Sequence, residues 1–255
     1  MSNSYLYPPW PLGGLAQERV KTCVTTRFGG CSLPPYDEFN LALHVGDNLV
    51  DVLANRSMLQ AVLPSQPVWL TQVHGVEVFD ADQWHSDHVP VADAAVTTVP
   101  RRVLGVMTAD CLPVLLCDWD ARVVGVAHAG WRGLCAGVVE QTVSAMLKKV
   151  GDSDASNFRA YLGPAIGPTA FEVGSDVRAA FIQLFPEDDL AFEPLGKEGK
   201  YLADLYKLAK QRLARLGITE VASGAECTYL DQRFYSYRRN QQTGRMASFI
   251  WLNPS

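Results

Sequence analysis

Short apolar runs alternate along this chain with a few stretches of helical periodicity. Val20–Thr25 predicts a strand entering the turn Arg27-Phe28-Gly29-Gly30, and residues 68–78 predict extended chain interrupted at His74-Gly75. Three more strands are expected over residues 103–107, 113–117 and 123–127. Leu134, Val138, Val139, Thr142, Val143, Met146, Leu147 and Val150 then recur at helical spacing until Gly151, which predicts one long helix with a buried face. A second helix is expected after the cap candidate Ser175 and before Pro186. A third, carrying Leu205, Leu208, Ala209, Leu213 and Leu216, stops at Gly217. Short strands near Tyr161, Val221 and Tyr235, and a stronger one over Met246–Leu252, complete the set. Strands placed this irregularly do not fit strict βαβ winding, so the expected class is α+β, with mixed β-sheets and helices packed outside.

Composition narrows the picture. A chain of 255 residues without repeat, linker or low-complexity tract predicts a single domain spanning 1–255. Its 48% hydrophobic and 19% charged residues can build a sizeable core. The net charge of -5, with no run of Lys or Arg, argues against nucleic acid as a partner. The first 14 residues carry no Lys or Arg and are broken by Pro8, Pro9 and Pro11, so neither a secretory signal nor a membrane helix is expected there. Nowhere do eighteen apolar residues run together. Six scattered cysteines read as free thiols in a reducing cytoplasm, the expected location.

The chemistry gathers around two apolar strands. Ala109-Asp110-Cys111-Leu112-Pro113 and Ala127-His128-Ala129-Gly130-Trp131 flank them, joined through the turn Asp118-Trp119-Asp120-Ala121. A hairpin centred between Trp119 and Asp120 sets Cys111 directly opposite His128, with Cβ atoms about 4.5 to 5.5 Å apart, a span suited to two ligands of one metal ion. His74, in Thr71-Gln72-Val73-His74-Gly75, is the natural third ligand, because His85 and His88 sit in a polar, loop-like stretch. His44 either lines the site or fills space. Two imidazoles and one thiolate leave a fourth position open, the arrangement of a catalytic zinc site. Two other readings use the same residues. Cys111 and His128 can be buried core residues, or Cys111 can be a thiolate nucleophile with His128 as its base. The additional imidazole of His74 favours the metal.

Together these motifs resemble the YfiH family, often labelled polyphenol oxidase or laccase-like multicopper oxidoreductase. The likeness extends nearly end to end through Thr26-Arg27-Phe28-Gly29-Gly30, Asn40-Leu41, Gly163-Pro164-Ala165-Ile166-Gly167, Phe171-Glu172-Val173-Gly174, Tyr235-Ser236-Tyr237-Arg238-Arg239 and Thr243-Gly244-Arg245. Cys31, Glu38 and Asn240 depart from the pattern, outside the three ligand positions. The resemblance implies mixed sheets sandwiched between outer helices, a fold shared with cysteine hydrolases and toxin deamidases. It implies metal ligands at His74, Cys111 and His128, with zinc preferred and copper possible. It also implies phosphorolysis of adenosine, inosine and methylthioadenosine, with deamination of adenosine and polyphenol oxidation as further activities.

Five histidines are too few for a four-copper laccase, which needs a trinuclear cluster besides its cysteine-ligated copper. The expected partners are therefore small molecules, a purine nucleoside and phosphate; the oligomeric state is not set by the sequence. Cys111, His128 and Glu172 are the catalytic candidates, with Glu172 as acid–base group. Arg27 and Arg132 are candidates for holding phosphate, and Asn40 for contacting ribose. Trp131 and Phe28 are candidates for stacking on the purine, whereas Asp110 and Arg238 are expected in structural roles.

Overall fold

The computed structural model describes residues 4–8, 10, 14–86 and 88–254. The expectation of no signal or membrane segment near the N-terminus falls partly on residues outside that set. Six strands form a central sheet in the order β12 (Val221–Ser223), β8 (Phe158–Leu162), β6 (Leu112–Asp118), β7 (Val124–Ala129), β4 (Ala94–Thr97) and β3 (Val78–Asp80). The outermost pair at each side is parallel and the inner pairs are antiparallel, so the sheet is mixed. A second, antiparallel sheet runs β1 (Tyr5–Leu6), β2 (Val20–Thr25), β13 (Met246–Leu252), β5 (Leu104–Thr108). A small third sheet joins β10 (Phe192–Pro194), β11 (Lys200–Ala203) and β9 (Glu172–Gly174). The helices are α1 (Gly14–Arg19), α2 (Leu49–Met58), α3 (Trp131–Ala136), α4 (Val138–Val150), α5 (Ser175–Leu184) and α6 (Leu205–Arg215).

Alternation along buried strands builds the layers. Leu112, Val114 and Leu116 of β6 face Val139, Val143 and Met146 of α4 and Leu205, Leu208 and Leu213 of α6. The intervening Leu115 and Cys117, with Val124 and Val126 of β7, face Leu104, Val106, Ile250 and Leu252 of the second sheet. The far side of that sheet, through Cys23, Phe249 and Trp251, is covered by Phe39, Leu41, Leu59, Leu63 and Trp69, near α2. Helices, the central sheet and the second sheet therefore stack in that order, with loop residues and the turn at Leu59 covering the far side, an α+β arrangement as expected, although only the central sheet is mixed.

Several expectations need correction. The single long helix is two, because Gly137 takes the left-handed φ of 101° and caps α3 before α4 begins. Ser175 is the first residue of α5 and Gly174 is its N-cap, without a side-chain cap. Residues 68–77 form no regular strand, only single bridges from Val68 to Leu104 and from Thr71 to Val91. Tyr235 lies in a turn-rich loop, where its buried hydroxyl donates to Tyr36 O at 2.6 Å.

The β6–β7 hairpin is shifted by two residues from the expected register. Its loop is residues 119–122, because Asp118 closes it: the carboxylate accepts Arg122 N (2.7 Å) and Val123 N (3.1 Å), and Asp118 N donates to Val123 O (3.3 Å). Pro113, not Cys111, therefore faces His128. A shift of two keeps each side chain on its face, so Cys111 still approaches His128, one step along the strand.

A polar latch ties the edge of the central sheet to α4. Asp82 accepts from Thr97 Oγ1 (2.8 Å), Thr98 N (2.9 Å), Thr98 Oγ1 (2.8 Å) and Lys149 Nζ (2.6 Å). Burial alone would push its carboxyl up, but the donors from Lys149 and Thr98 outweigh burial and bring it from 3.8 to about 2. The folded value lies below the unfolded one, so the stabilisation is complete above the unfolded value and is lost as pH falls through about 2. Asp82→Ala is expected to cost about 2 kcal/mol at neutral pH, in keeping with hydrogen bonds to a charged group. Urea unfolding of both proteins checks this, and the difference should shrink towards zero near pH 2; an equal deficit at both pH values would place the cause elsewhere.

Candidate metal centre

Three strand ends meet at one edge of the sandwich. β5 finishes at Thr108, β6 begins at Leu112 and β7 finishes at Ala129, so residues 108–111 and 128–131 converge there. Met246, the first residue of β13, pairs with Thr108 and brings Arg245 to the same edge. The loop carrying His74 completes the group and is held from both sides. Gln72 Nε2 donates to Met107 O (2.9 Å) while Met107 N donates to Gln72 Oε1 (2.8 Å), so a side-chain amide extends the pairing of β5.

Asp93, at the start of β4 and fully buried, holds the other side. Its carboxylate accepts Val73 N (3.1 Å), His74 N (2.9 Å) and Gly75 N (2.7 Å) in succession. Such a turn needs an unusual backbone, and His74 stands at φ 61°, a left-handed conformation that side chains rarely adopt. The same carboxylate takes His128 Nδ1 at 2.8 Å, and His128 N donates to Asp93 O at 2.7 Å. With Nδ1 donating to Asp93, Nε2 is the ring nitrogen left to face the site, a donor to the Cys111 thiolate and, once that proton leaves, a lone pair for a metal ion.

The ligand atoms of His74, Cys111 and His128 lie within 4.8 Å of one another. Cys111 Sγ is 3.8 Å from His74 Nε2, and the two imidazole centroids are 4.7 Å apart. Ordinary zinc–sulfur and zinc–nitrogen lengths give ligand-to-ligand edges of about 3.5 Å in a tetrahedral site, so a small contraction would seat an ion. Gly130 makes the gathering possible. Continuing the hairpin register sets it level with Cys111, and a Cβ there would stand 2.9 Å from His74 Cδ2 and 3.0 Å from Cys111 Sγ. Asp110, also at a left-handed φ of 91°, turns the chain into Cys111; its oxygens accept Thr228 Oγ1 (2.7 Å) and Arg238 N (2.6 Å), the structural role expected of it.

Charge is balanced locally. Burial alone would push the Cys111 thiol up, but His128 and hydrogen bonds from both histidines outweigh burial and hold it below the ordinary thiol value. Burial likewise disfavours charge on His128, yet the Cys111 thiolate and Asp93 raise its pKa. Asp93 itself is held below the usual carboxylate value against burial by the His128 and backbone donors. A half-buried thiol whose ionised form is favoured, set between two imidazoles of which one is oriented by a carboxylate, has the donor chemistry of a zinc-binding group.

The triad lies in a cleft of about 380 Å³ walled by Trp131, Phe171 and Tyr237 and lined also by His44, Asp110, Arg132, Arg238 and Arg245. Arg132 is thus in the cleft, whereas Arg27, Asn40, Glu172 and Phe28 are not among its lining residues. Arg27 pairs with Asp37 at 2.6 Å. Buried Asn40 fixes loops, donating to Asp47 Oδ2 (2.8 Å) and accepting Ala42 N and Arg245 N. The Glu172 carboxylate pairs with Lys200 at 3.5 Å, since β9 turns it towards β11. Asp93, Gly130 and Arg245 received no role from sequence. Asp93 had one visible signal, a lone acid beside the apolar run Ala94-Ala95-Val96.

Residues 21–253 match a family model described as "Multi-copper polyphenol oxidoreductase laccase". The Escherichia coli (strain K12) protein named purine nucleoside phosphorylase YfiH is 50% identical over 252 residues, covering 97% of this chain and 98% of that one. The chain belongs to the YfiH family. Another relative, purine nucleoside phosphorylase PA4543 of Pseudomonas aeruginosa, is 48% identical over 98% of this chain and 99% of its own. The crystal structure of Neisseria meningitidis protein NMB0706 superposes with a TM-score of 0.90 at 45% identity, covering 99% of this chain and all of that one. The family description speaks of several coppers, but among the described residues the one group of three or more close His, Cys, Asp or Glu ligand atoms is His74, Cys111 and His128.

Two substitutions test how the centre is built. Asp93→Asn should weaken zinc binding roughly 10- to 100-fold, the range for loss of an orienting partner, measured by competition with a chromophoric chelator. Gly130→Ala, at a backbone conformation that alanine adopts freely (φ -60°, ψ 156°), should lower zinc affinity with little change in unfolding free energy. Wild-type affinity in either variant would contradict the proposed geometry.

Proposed function

We propose that this protein is a metal-dependent purine nucleoside phosphorylase acting on adenosine, inosine and methylthioadenosine, with deamination of adenosine as a second activity. The observation that carries this reading is the His74–Cys111–His128 triad at the base of an aromatic-walled cleft. The names of its relatives support it. Two imidazoles and a thiolate with an open position suit zinc, and a thiolate-containing site also accepts copper. When bound, the metal supplies Lewis-acid polarisation beside the substrate.

The chain's own residues do the rest. Trp131, Phe171 and Tyr237 offer ring faces and edges to a purine and exclude water from its flanks. Asp93 keeps His128 oriented, and Gln72 and Asp93 keep the His74 loop from moving. Phosphorolysis forms a bond from a phosphate oxygen to ribose C1′ as the bond from C1′ to the purine nitrogen breaks. The bonding pair leaves with the base, which takes the proton given up by hydrogen phosphate. With its carboxylate paired to Lys200 and outside the cleft lining, Glu172 is not placed to carry that proton. Among the described residues no helix is long and apolar enough to cross a membrane.

A second reading has one specific observation in its favour: a thiol held below its ordinary value beside an imidazole oriented by Asp93 is also the arrangement of a thiolate hydrolase. Chelation and alkylation separate the two. Adenosine or inosine incubated with phosphate and followed by chromatography should yield free base only with metal-loaded protein. His74→Ala removes a proposed ligand itself and should lower turnover by at least about 100-fold, the upper end of the losses seen when only an orienting partner is removed. Inosine formed from adenosine without phosphate tests deamination. Full activity after metal removal, abolished by thiol alkylation, would replace this proposal with the hydrolase.

A further inference from the structure

We propose that Arg132, Arg238 and Arg245 form the subsite for inorganic phosphate, an assignment that rests on the phosphorylase reading above. All three line the cleft that holds the metal triad. None of them forms an ion pair with a carboxylate among the described residues, in contrast to Arg27, Arg122, Arg178, Arg212, Arg215 and Arg233. Their positions are fixed instead by groups that orient a guanidinium without neutralising it.

Arg238 donates through its terminal nitrogens to Glu172 O (3.0 Å) and Ala170 O (3.5 Å), while Asp110 holds its backbone N–H. Arg245 donates from Nη1 to Thr243 O (2.9 Å) and Gly244 O (3.0 Å), and its backbone N–H is held by Asn40 Oδ1 (2.9 Å). Exposed Arg132 rests on the face of Trp131, 4.4 Å from the ring centroid.

Asp110 is the one acid lining the cleft, and both its oxygens are already engaged. Three guanidinium groups in one small cleft call for a ligand with several anionic acceptors, and a tetrahedral oxyanion matches their forked donors. A purine nucleoside is neutral and does not meet that demand; the co-substrate does. Asn40 then acts as a positioning residue, through Arg245. The phosphate role expected of Arg27 falls away, because Asp37 already neutralises it.

Phosphate chemistry could reach these arginines as orthophosphate or as the 5′-phosphate of a nucleotide, and the experiment separates the two. Zinc-loaded wild type, Arg132→Gln, Arg238→Gln and the distant control Arg159→Gln are assayed with inosine while phosphate is varied. The KM for phosphate should rise about 10-fold or more in the two cleft variants, the loss of roughly one charge-assisted contact. The KM for inosine should stay within about 2-fold, a split that a general structural lesion would not give. The Arg132 side chain makes no hydrogen bond among the described residues and is exposed, so Arg132→Gln is expected to leave the fold intact.

A phosphorus NMR titration with orthophosphate and with AMP reads the subsite without turnover. Orthophosphate binding to wild type that is lost in the variants, with no phosphorolysis, would uphold the subsite and overturn the phosphorylase reading. An unchanged phosphate KM in both variants, or binding of AMP with none of orthophosphate, would overturn the subsite.

Discussion

The Asp93 carboxylate, fully buried at the start of β4, receives four N–H donors: those of Val73, His74 and Gly75, and the ring Nδ1 of His128. A charge removed from water at this depth is tolerated only when its lone pairs are satisfied, and here every donor belongs to a candidate metal ligand, His74 or His128, or to an immediate neighbour of His74. One side chain thus fixes the backbone of His74 and the ring orientation of His128. The left-handed backbone of His74 is a local cost that this carboxylate offsets. Cys111 is placed separately, by the turn at Asp110 and by the missing side chain of Gly130.

The sandwich gives that arrangement its rigidity. Both sheets end strands at the same edge, and the strands that do so, β5, β6 and β7, are buried along their whole length. Ligands carried at the ends of such strands inherit their order, which a site assembled from mobile loops would lack. The cleft is chemically divided. One part carries a thiol and two imidazoles suited to a soft or borderline cation, another carries three guanidinium groups that form no carboxylate ion pair among the described residues, and aromatic rings lie along its walls. The proposed pair of a neutral, flat nucleoside and an anionic phosphate follows that division.

Much of this was legible in the sequence, for physical reasons. Helical and strand periodicity gave α4, α6, β6, β7 and β13 because those elements bury one face or both. The ligand triad was legible because reactive residue types stood at the ends of apolar runs. The hairpin register was read two residues away from where it lies, and the conclusion survived because side-chain direction repeats every two residues. The break at Gly137 and the loop around Tyr235 depend on tertiary packing that local periodicity does not carry. Glu172, Arg27 and Asn40 were drawn towards the cleft by motif membership. Their partners Lys200, Asp37 and Asp47 come from segments whose approach only the fold determines. Asp93 was hidden for a related reason, since the three backbone donors it gathers leave no trace in residue types.

Crystals of the zinc-loaded protein, measured on both sides of the zinc absorption edge, test the central claim most directly. The account predicts one strong anomalous peak per chain, bonded to His74 Nε2, Cys111 Sγ and His128 Nε2, with Asp93 on His128 Nδ1. A peak at the His85–His88 loop, or a zinc held without Cys111, would contradict it.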